Sequence, residues 1–186
     1  MEIHMHRLLS QLRTDHINTS KLLSLFDKEV EELASSSIEP NYHKWQNILL
    51  YMTTYQDIFH HPTEEIIFSS IRERDPILAE KLDEITEQHE RLYEKSKTLH
   101  RTLSSIETEF ISLDKDKLIA ECKHYINLLS SHIGIEEKFI FPFAAENLAK
   151  ADWEAIESKV KLVDDPMFSQ KRKAEFAELY ECVYAQ

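Results

Sequence analysis

The sequence predicts an all-α protein, an up-down-up-down four-helix bundle with two short C-terminal helices packed on it, and three observations carry that expectation. A single glycine in 186 residues leaves little material for the tight turns of a β-sheet. Apolar residues recur at three- and four-residue intervals, the period of a helix with one buried face. Short polar segments rich in Ser, Pro and Asp separate four such stretches of about 30 residues each.

The first helix is expected over residues 3–34, with Leu8, Leu12, Leu22, Phe26 and Val30 on one face; Ser35 to Asn41 then end it. The second runs over residues 42–74, from Tyr42 to Arg74. Pro62 lies inside it, and because the apolar rhythm continues past it, a bend and not an end is expected there. Asp75-Pro76 opens a third helix over residues 76–113. Asp114-Lys115-Asp116 precedes a fourth over residues 117–148, in which Gly134 falls on the face away from the motif described below, where a neighbour can pack closely. Residues 149–186 form an extension: a short helix capped by Asp152 and a last helix from Ser169 to Tyr184, covering the outside of the bundle. One domain is expected, with residues 1–148 as the bundle and 149–186 packed on it; docking of a protein partner on the last helices stays open.

Acidic residues outnumber basic ones 34 to 22, a formal charge of −12, which repels phosphate backbones and anionic membrane surfaces. Nucleic acid and membrane are therefore poor partners. Two cysteines without C-x-x-C spacing fit a reducing compartment, and no stretch is apolar for long enough to be a signal core or a membrane span, so a cytoplasmic protein is expected.

Ten histidines direct attention to metal. His60-His61-Pro62-Thr63-Glu64-Glu65 and His132-Ile133-Gly134-Ile135-Glu136-Glu137 share the pattern H-x-x-x-E-E, and residues four apart on a helix lie about 40° apart in angle, one turn apart in height. His61 and Glu65 offer a second match, but the repeat aligns His132 with His60 and Ile133 with His61, which selects His60 with Glu64. In an up-down bundle, positions equidistant from a turn share a level. His16 and His60 reflect across the Ser-rich turn, the first ligand turn (about residue 62) and His89 across Asp75-Pro76, and His89 and His132 close to Asp114. His16, His60, Glu64, His89, His132 and Glu136 thus fall in one layer as candidate metal ligands. His60 follows His16 by 44 residues and His132 follows His89 by 43, as in a duplicated helical hairpin. Four imidazoles and two carboxylates suit two first-row transition-metal ions, iron best among them; if both glutamates bridge and an oxo or hydroxo group joins them, each iron has about five ligands and an open position. Glu137 is read as a solvated carboxylate or a partner of a ligand histidine, and Cys122 and Cys182 as fillers.

On these residues the chain resembles the hemerythrin-like, or HHE cation-binding, family over about residues 4–148. The resemblance implies a non-haem di-iron centre in a four-helix bundle that binds dioxygen or, in some members, responds to nitric oxide, oxidants or iron supply. Where oxygen carriers have a fifth histidine one turn from the third-helix histidine, this chain has Ile85 and Tyr93, which weighs against stable oxygen carriage; Tyr93 is read as a buried tyrosine, with contact to iron as the alternative. Binding or sensing of dioxygen, a related diatomic or an oxidant is the leading expectation. Enzyme-like reduction of nitric oxide or peroxide, iron delivery for cluster repair, and a structural module with zinc or no metal stay open.

Overall fold

The computed structural model describes residues 6–35, 40–109, 114–161 and 163–185, and no strand occurs among them. Helix α1 (Arg7–Ser35) is the first rod of the bundle. The second rod is α2 (Tyr42–Tyr51), a π-helical segment Met52–His60 and α3 (His61–Arg74), and the third is α4 (Pro76–Glu109). The fourth is α5 (Lys115–Ile135), a π-helical segment Glu136–Ile140 and α6 (Phe141–Asn147). Residues 36–39, which hold most of the first expected turn, and residues 110–113, the end of the expected third helix, lie outside the described residues.

The rods start where short polar side chains can satisfy free backbone N–H groups. Asn41 accepts from the Lys44 N–H at 3.1 Å, and Asp114 from the Lys117 N–H at 3.0 Å. Asp75 accepts from the Ile77 N–H at 2.9 Å at the tight junction between α3 and α4.

The expected bend at Pro62 takes another form. The turn before it widens to π geometry, in which the His61 N–H bonds the Gln56 carbonyl five residues back, and the helix continues into α3. The fourth rod does the same before Pro142, with the Phe141 N–H bonding the Glu136 carbonyl. A proline lacks the N–H and its ring crowds the carbonyl four residues earlier, so a widened turn keeps the helix running where an α-turn would clash. Gly134 was expected to admit a close neighbour; instead a Cβ there would meet nothing within 4 Å, so its helix face is open.

Two apolar clusters fill the bundle, one holding Leu22, Phe26, Trp45, Leu92 and Leu129, the other Leu8, Leu12, Ile67, Ile85 and Phe141. A polar layer separates them on every rod. Each rod passes through that layer once: between Leu12 and Leu22, between Tyr55 and Ile67, between Ile85 and Leu92, and between Ile133 and Ile140.

Beyond the rods, α7 (Lys150–Glu157) places Trp153 and Ile156 in the second cluster. Asp152, expected as its N-cap, is instead its third residue and accepts from the Ala149 N–H at 2.6 Å. The last helix is shorter than expected. A 3₁₀ turn, Ala174–Phe176, leads into α8 (Ala177–Tyr184), because residues 166–171 fold as turns beside Asp165. The buried Asp165 accepts from the Met167 and Phe168 N–H groups at 2.8 Å and from the Tyr51 hydroxyl at 2.9 Å, so its side chain holds the segment where a helix would have begun. Met167, Phe176 and Leu179 complete the first cluster. No helix among the described residues is long and apolar enough to cross a membrane.

Candidate metal centre

The polar layer contains all six residues picked out by the repeat. His16, His60, His89 and His132 are buried, and Glu64 and Glu136 have no exposed surface at all. The two carboxylates lie across the middle of the layer, each with one oxygen toward either end. Glu64 Oε1 is 3.1 Å from His60 Nε2 and 3.4 Å from His16 Nε2, whereas its Oε2 is 3.5 Å from His89 Nε2. Glu136 Oε2 is 3.3 Å from His16 Nε2, whereas its Oε1 is 3.2 Å from His132 Nε2 and 3.5 Å from His89 Nε2. His16 with His60 marks one end and His89 with His132 the other.

Each imidazole is held from outside through Nδ1. His16 pairs with Glu137 at 3.0 Å, His60 with Asp15 at 3.1 Å, His89 with Glu65 at 2.9 Å and His132 with Gln88 Oε1 at 3.2 Å. The second glutamate of each H-x-x-x-E-E copy thus orients the histidine of another rod, and the residue just before His16 or His89 orients the motif histidine. An imidazole that donates its Nδ1–H outward presents the Nε2 lone pair inward. The outer partners are themselves fixed: Tyr55 and Gln11 donate to Asp15, Arg13 to Glu137, and Thr86 to Glu65.

All four oxygens of Glu64 and Glu136, and His16 Nε2, are buried without a hydrogen bond. Ionised carboxylates left so cost several kcal/mol each, of which protonated histidines recover part. Burial drives Glu64 toward its neutral form, but His60, His16 and His89 outweigh it and hold the carboxyl well below its ordinary range. Glu136 is likewise depressed: burial and the Glu64 charge raise it, and His132 and His16 prevail. In return, against the penalty of burial, His16 and His89 are raised to about 11 and His60 to about 9 by the surrounding carboxylates. The donor spacing fits cations: ligand atoms about 2.1 Å from one ion at right angles lie about 3 Å apart. The His89 Nε2 to His132 Nε2 separation is 3.1 Å. Protons on imidazoles are what the site holds without metal; cations would take their place.

One residue set aside by the repeat belongs to this layer. His61 is 6% exposed, stacks on His89 with ring centroids 4.2 Å apart, and has a donor nitrogen within 4.8 Å of donor atoms of Glu64, His89 and His132. The signal for it was the His-His pair itself, joined to Asp57 one turn earlier, whose Oδ1 lies 3.1 Å from His61 Nδ1. Tyr93, expected as a buried tyrosine, is 39% exposed, with the Lys97 ammonium 4.3 Å from its ring centre. Ile85 is fully buried in the second apolar cluster. His43 and His124 are exposed, and His6 stacks on Trp153.

A helical bundle whose core is interrupted by converging imidazoles and two orphaned carboxylates belongs to the class of cation-binding bundles. The model of the hemerythrin HHE cation binding domain matches residues 7–144, and the chain belongs to that family. No curated protein matches the chain.

Proposed function

We propose that the protein is a non-haem di-iron protein that binds or senses dioxygen, a related diatomic such as nitric oxide, or an oxidant. His16 and His60 would hold one ion, His89 and His132 the other, and Glu64 and Glu136 would bridge the two. The observation that carries this reading is the disposition of the two buried carboxylates, each turning one oxygen to either end of the layer and none finding a hydrogen bond. A mixed shell of imidazole and carboxylate suits first-row metals, and iron supplies reversible one-electron chemistry at such a site. Four imidazoles make the shell less anionic than glutamate-dominated di-iron bundles, which favours binding and sensing over oxygenase chemistry.

The chain's own part is to orient, to insulate and to balance charge. Asp15, Glu65, Gln88 and Glu137 fix the ring planes; the apolar clusters above and below keep bulk water from the layer. Protein made with ample iron should contain about two ions per chain, with near-ultraviolet bands that bleach on reduction and return or shift on exposure to oxygen or nitric oxide. Less than about one iron per chain, or zinc without those bands, would contradict the proposal. Multiple turnovers of peroxide or nitric oxide would move it to the enzyme class.

A further inference from the structure

We propose that Tyr51 is a redox-active tyrosine that gives an electron to the metal layer through Tyr55 and is refilled from the surface through Phe168, Tyr180 and Tyr184. This rests on the di-iron reading above and goes beyond it by giving the chain a means to withstand one-electron oxidation by a peroxide.

The rings form a continuous run. On rod two, Tyr51 and Tyr55 follow one another at helical spacing with centroids 5.5 Å apart. The Tyr55 hydroxyl donates to Asp15 at 3.3 Å, and Asp15 Oδ2 is 3.1 Å from His60 Nδ1, so the inner end of the run stands two hydrogen bonds from a candidate ligand. On the other side, Tyr51 meets Phe168 edge-on at 6.0 Å. Phe168 lies 6.0 Å from Tyr180 and 6.4 Å from Tyr184, and those two are 4.5 Å apart. Tyr51 is fully buried, whereas Tyr184 is 52% exposed. Each step is within the range of direct ring contact, and electron transfer weakens steeply with distance. The run therefore joins the layer to solvent.

Packing alone does not call for these side chains. Phenylalanine would fill the same space without burying a phenol, and a buried phenol needs no carboxylate beside it. Here each has one, Asp15 for Tyr55 and Asp165 for Tyr51. The two pairs differ in a way that singles out Tyr51. Asp15 also serves His60 and Gln11, and the Tyr55 hydroxyl reaches it only at 3.3 Å. Asp165 spends Oδ1 on the Met167 and Phe168 N–H groups and turns Oδ2 to the Tyr51 hydroxyl at 2.9 Å. Burial raises the Asp165 carboxyl, which makes it the better base, and raises Tyr51 so far that its proton stays until the electron leaves.

The outer rings suit passage better than storage. The Arg172 guanidinium carbon lies 3.2 Å from the centre of the Tyr180 ring. Lys21 lies 4.9 Å from the centre of Tyr184 and donates to its hydroxyl at 3.3 Å. A cation on a ring face is attracted by the electrons that oxidation removes, so the oxidised state is disfavoured there and settles on Tyr51.

Reduction of hydrogen peroxide to two waters takes two electrons and two protons. When only one iron of the pair is ferrous, that iron supplies one electron and Tyr51 the other, passed through the Tyr55 ring and the Asp15 and His60 hydrogen bonds. The Tyr51 O–H bond breaks, its proton forms an O–H bond on Asp165 Oδ2, and the two protons consumed come from solvent. A one-electron reductant such as ascorbate, acting at Tyr184, restores the phenol as Asp165 returns the proton. Without the second electron, the oxidising fragment of the peroxide falls on the ligand imidazoles. A phenol yields an electron only to a strong oxidant, so ordinary ferrous–ferric cycling leaves Tyr51 untouched.

The test uses the full chain loaded with iron and reduced by one electron per pair. Iron content and the mixed-valence electron paramagnetic resonance signal are measured first; fewer than about two irons per chain, or no such signal, would overturn the di-iron reading and the proposal with it. Hydrogen peroxide followed by rapid freezing should then give a tyrosyl radical signal that narrows when the tyrosines carry deuterated rings. Loss of the mixed-valence signal without a tyrosyl signal would overturn the role of Tyr51 and leave the di-iron reading standing. Tyr51→Phe keeps the ring and should lose the radical, and in Asp165→Asn the radical should form more slowly; a full signal in Tyr51→Phe would contradict the assignment. With Tyr180→Phe and Tyr184→Phe together, the radical should form as before but outlast that of the wild type when ascorbate is added, and equal lifetimes would overturn the outward path. Mass spectrometry reads the consequence independently. Peroxide should oxidise His16 and His60 more in Tyr51→Phe than in the wild type, and equal oxidation would contradict the protective role.

Discussion

Glu136 and Glu64 are the residues on which the site depends most, since each faces both ends of the layer and neither has another partner. Glu136→Gln keeps the shape and removes the shared charge, so binding of both ions should weaken together, by at least about 10–100-fold, measured as iron per chain after dialysis against chelator. His16→Ala touches one end only and should lose one ion first. Proton linkage follows from the same charges. His16 and His89 are raised to about 11 and His60 to about 9 in the metal-free layer, so near pH 7 they are protonated, and a cation must displace those protons. Metal uptake should therefore release protons, and affinity should rise as pH increases from 6 to 9. Calorimetric titration in buffers of different ionisation enthalpy checks the sign; uptake without proton release, or affinity falling with pH, would contradict it.

At the scale of the element, the π-helical segments set the register of the ligand turns. Met52–His60 ends on the first histidine of the first motif copy and Glu136–Ile140 begins on the first glutamate of the second copy, and each ends two residues before a proline. Pro62→Ala restores an N–H and removes the crowding that favours the wide turn, so the segment can relax to α geometry and rotate His60 against Glu64. Helix content by circular dichroism should stay unchanged while iron affinity falls at least about tenfold; unchanged affinity would mean that the proline does not set the register. These segments were hidden in the sequence, because a one-residue widening leaves the apolar period almost intact. That the six repeat residues would share one layer was legible because chemistry and spacing agreed twice over. His61 was not, since alignment of the two copies set it against Ile133. Asp15, Asp57 and Gln88 were unreadable for another reason: they act across rods or from the outer face, where polar residues are common.

For the molecule as a whole, the bundle and its four rods were legible from periodicity and turn residues, whereas the turns that follow Asp165 in place of helix rest in part on a tertiary bond from Tyr51 to Asp165 that no local pattern reveals. That extension completes both apolar clusters, with Trp153 and Ile156 in one and Met167, Phe176 and Leu179 in the other. Phe176→Ala should therefore lower the stability of the folded chain by about 3–5 kcal/mol. Iron content should hold, because the six candidate ligands all lie on the four rods. Denaturant unfolding with metal analysis separates the two effects; loss of iron in the folded variant would make the extension part of the site.

The central claim is that two metal ions share Glu64 and Glu136 in one buried layer. X-ray absorption at the iron edge of the loaded protein measures it most directly. Iron neighbours at about 3–4 Å from each absorber, with imidazole scattering and two irons per chain, are expected, and the iron–iron feature should vanish in Glu136→Gln. A single iron per chain with no metal neighbour in that range would contradict it.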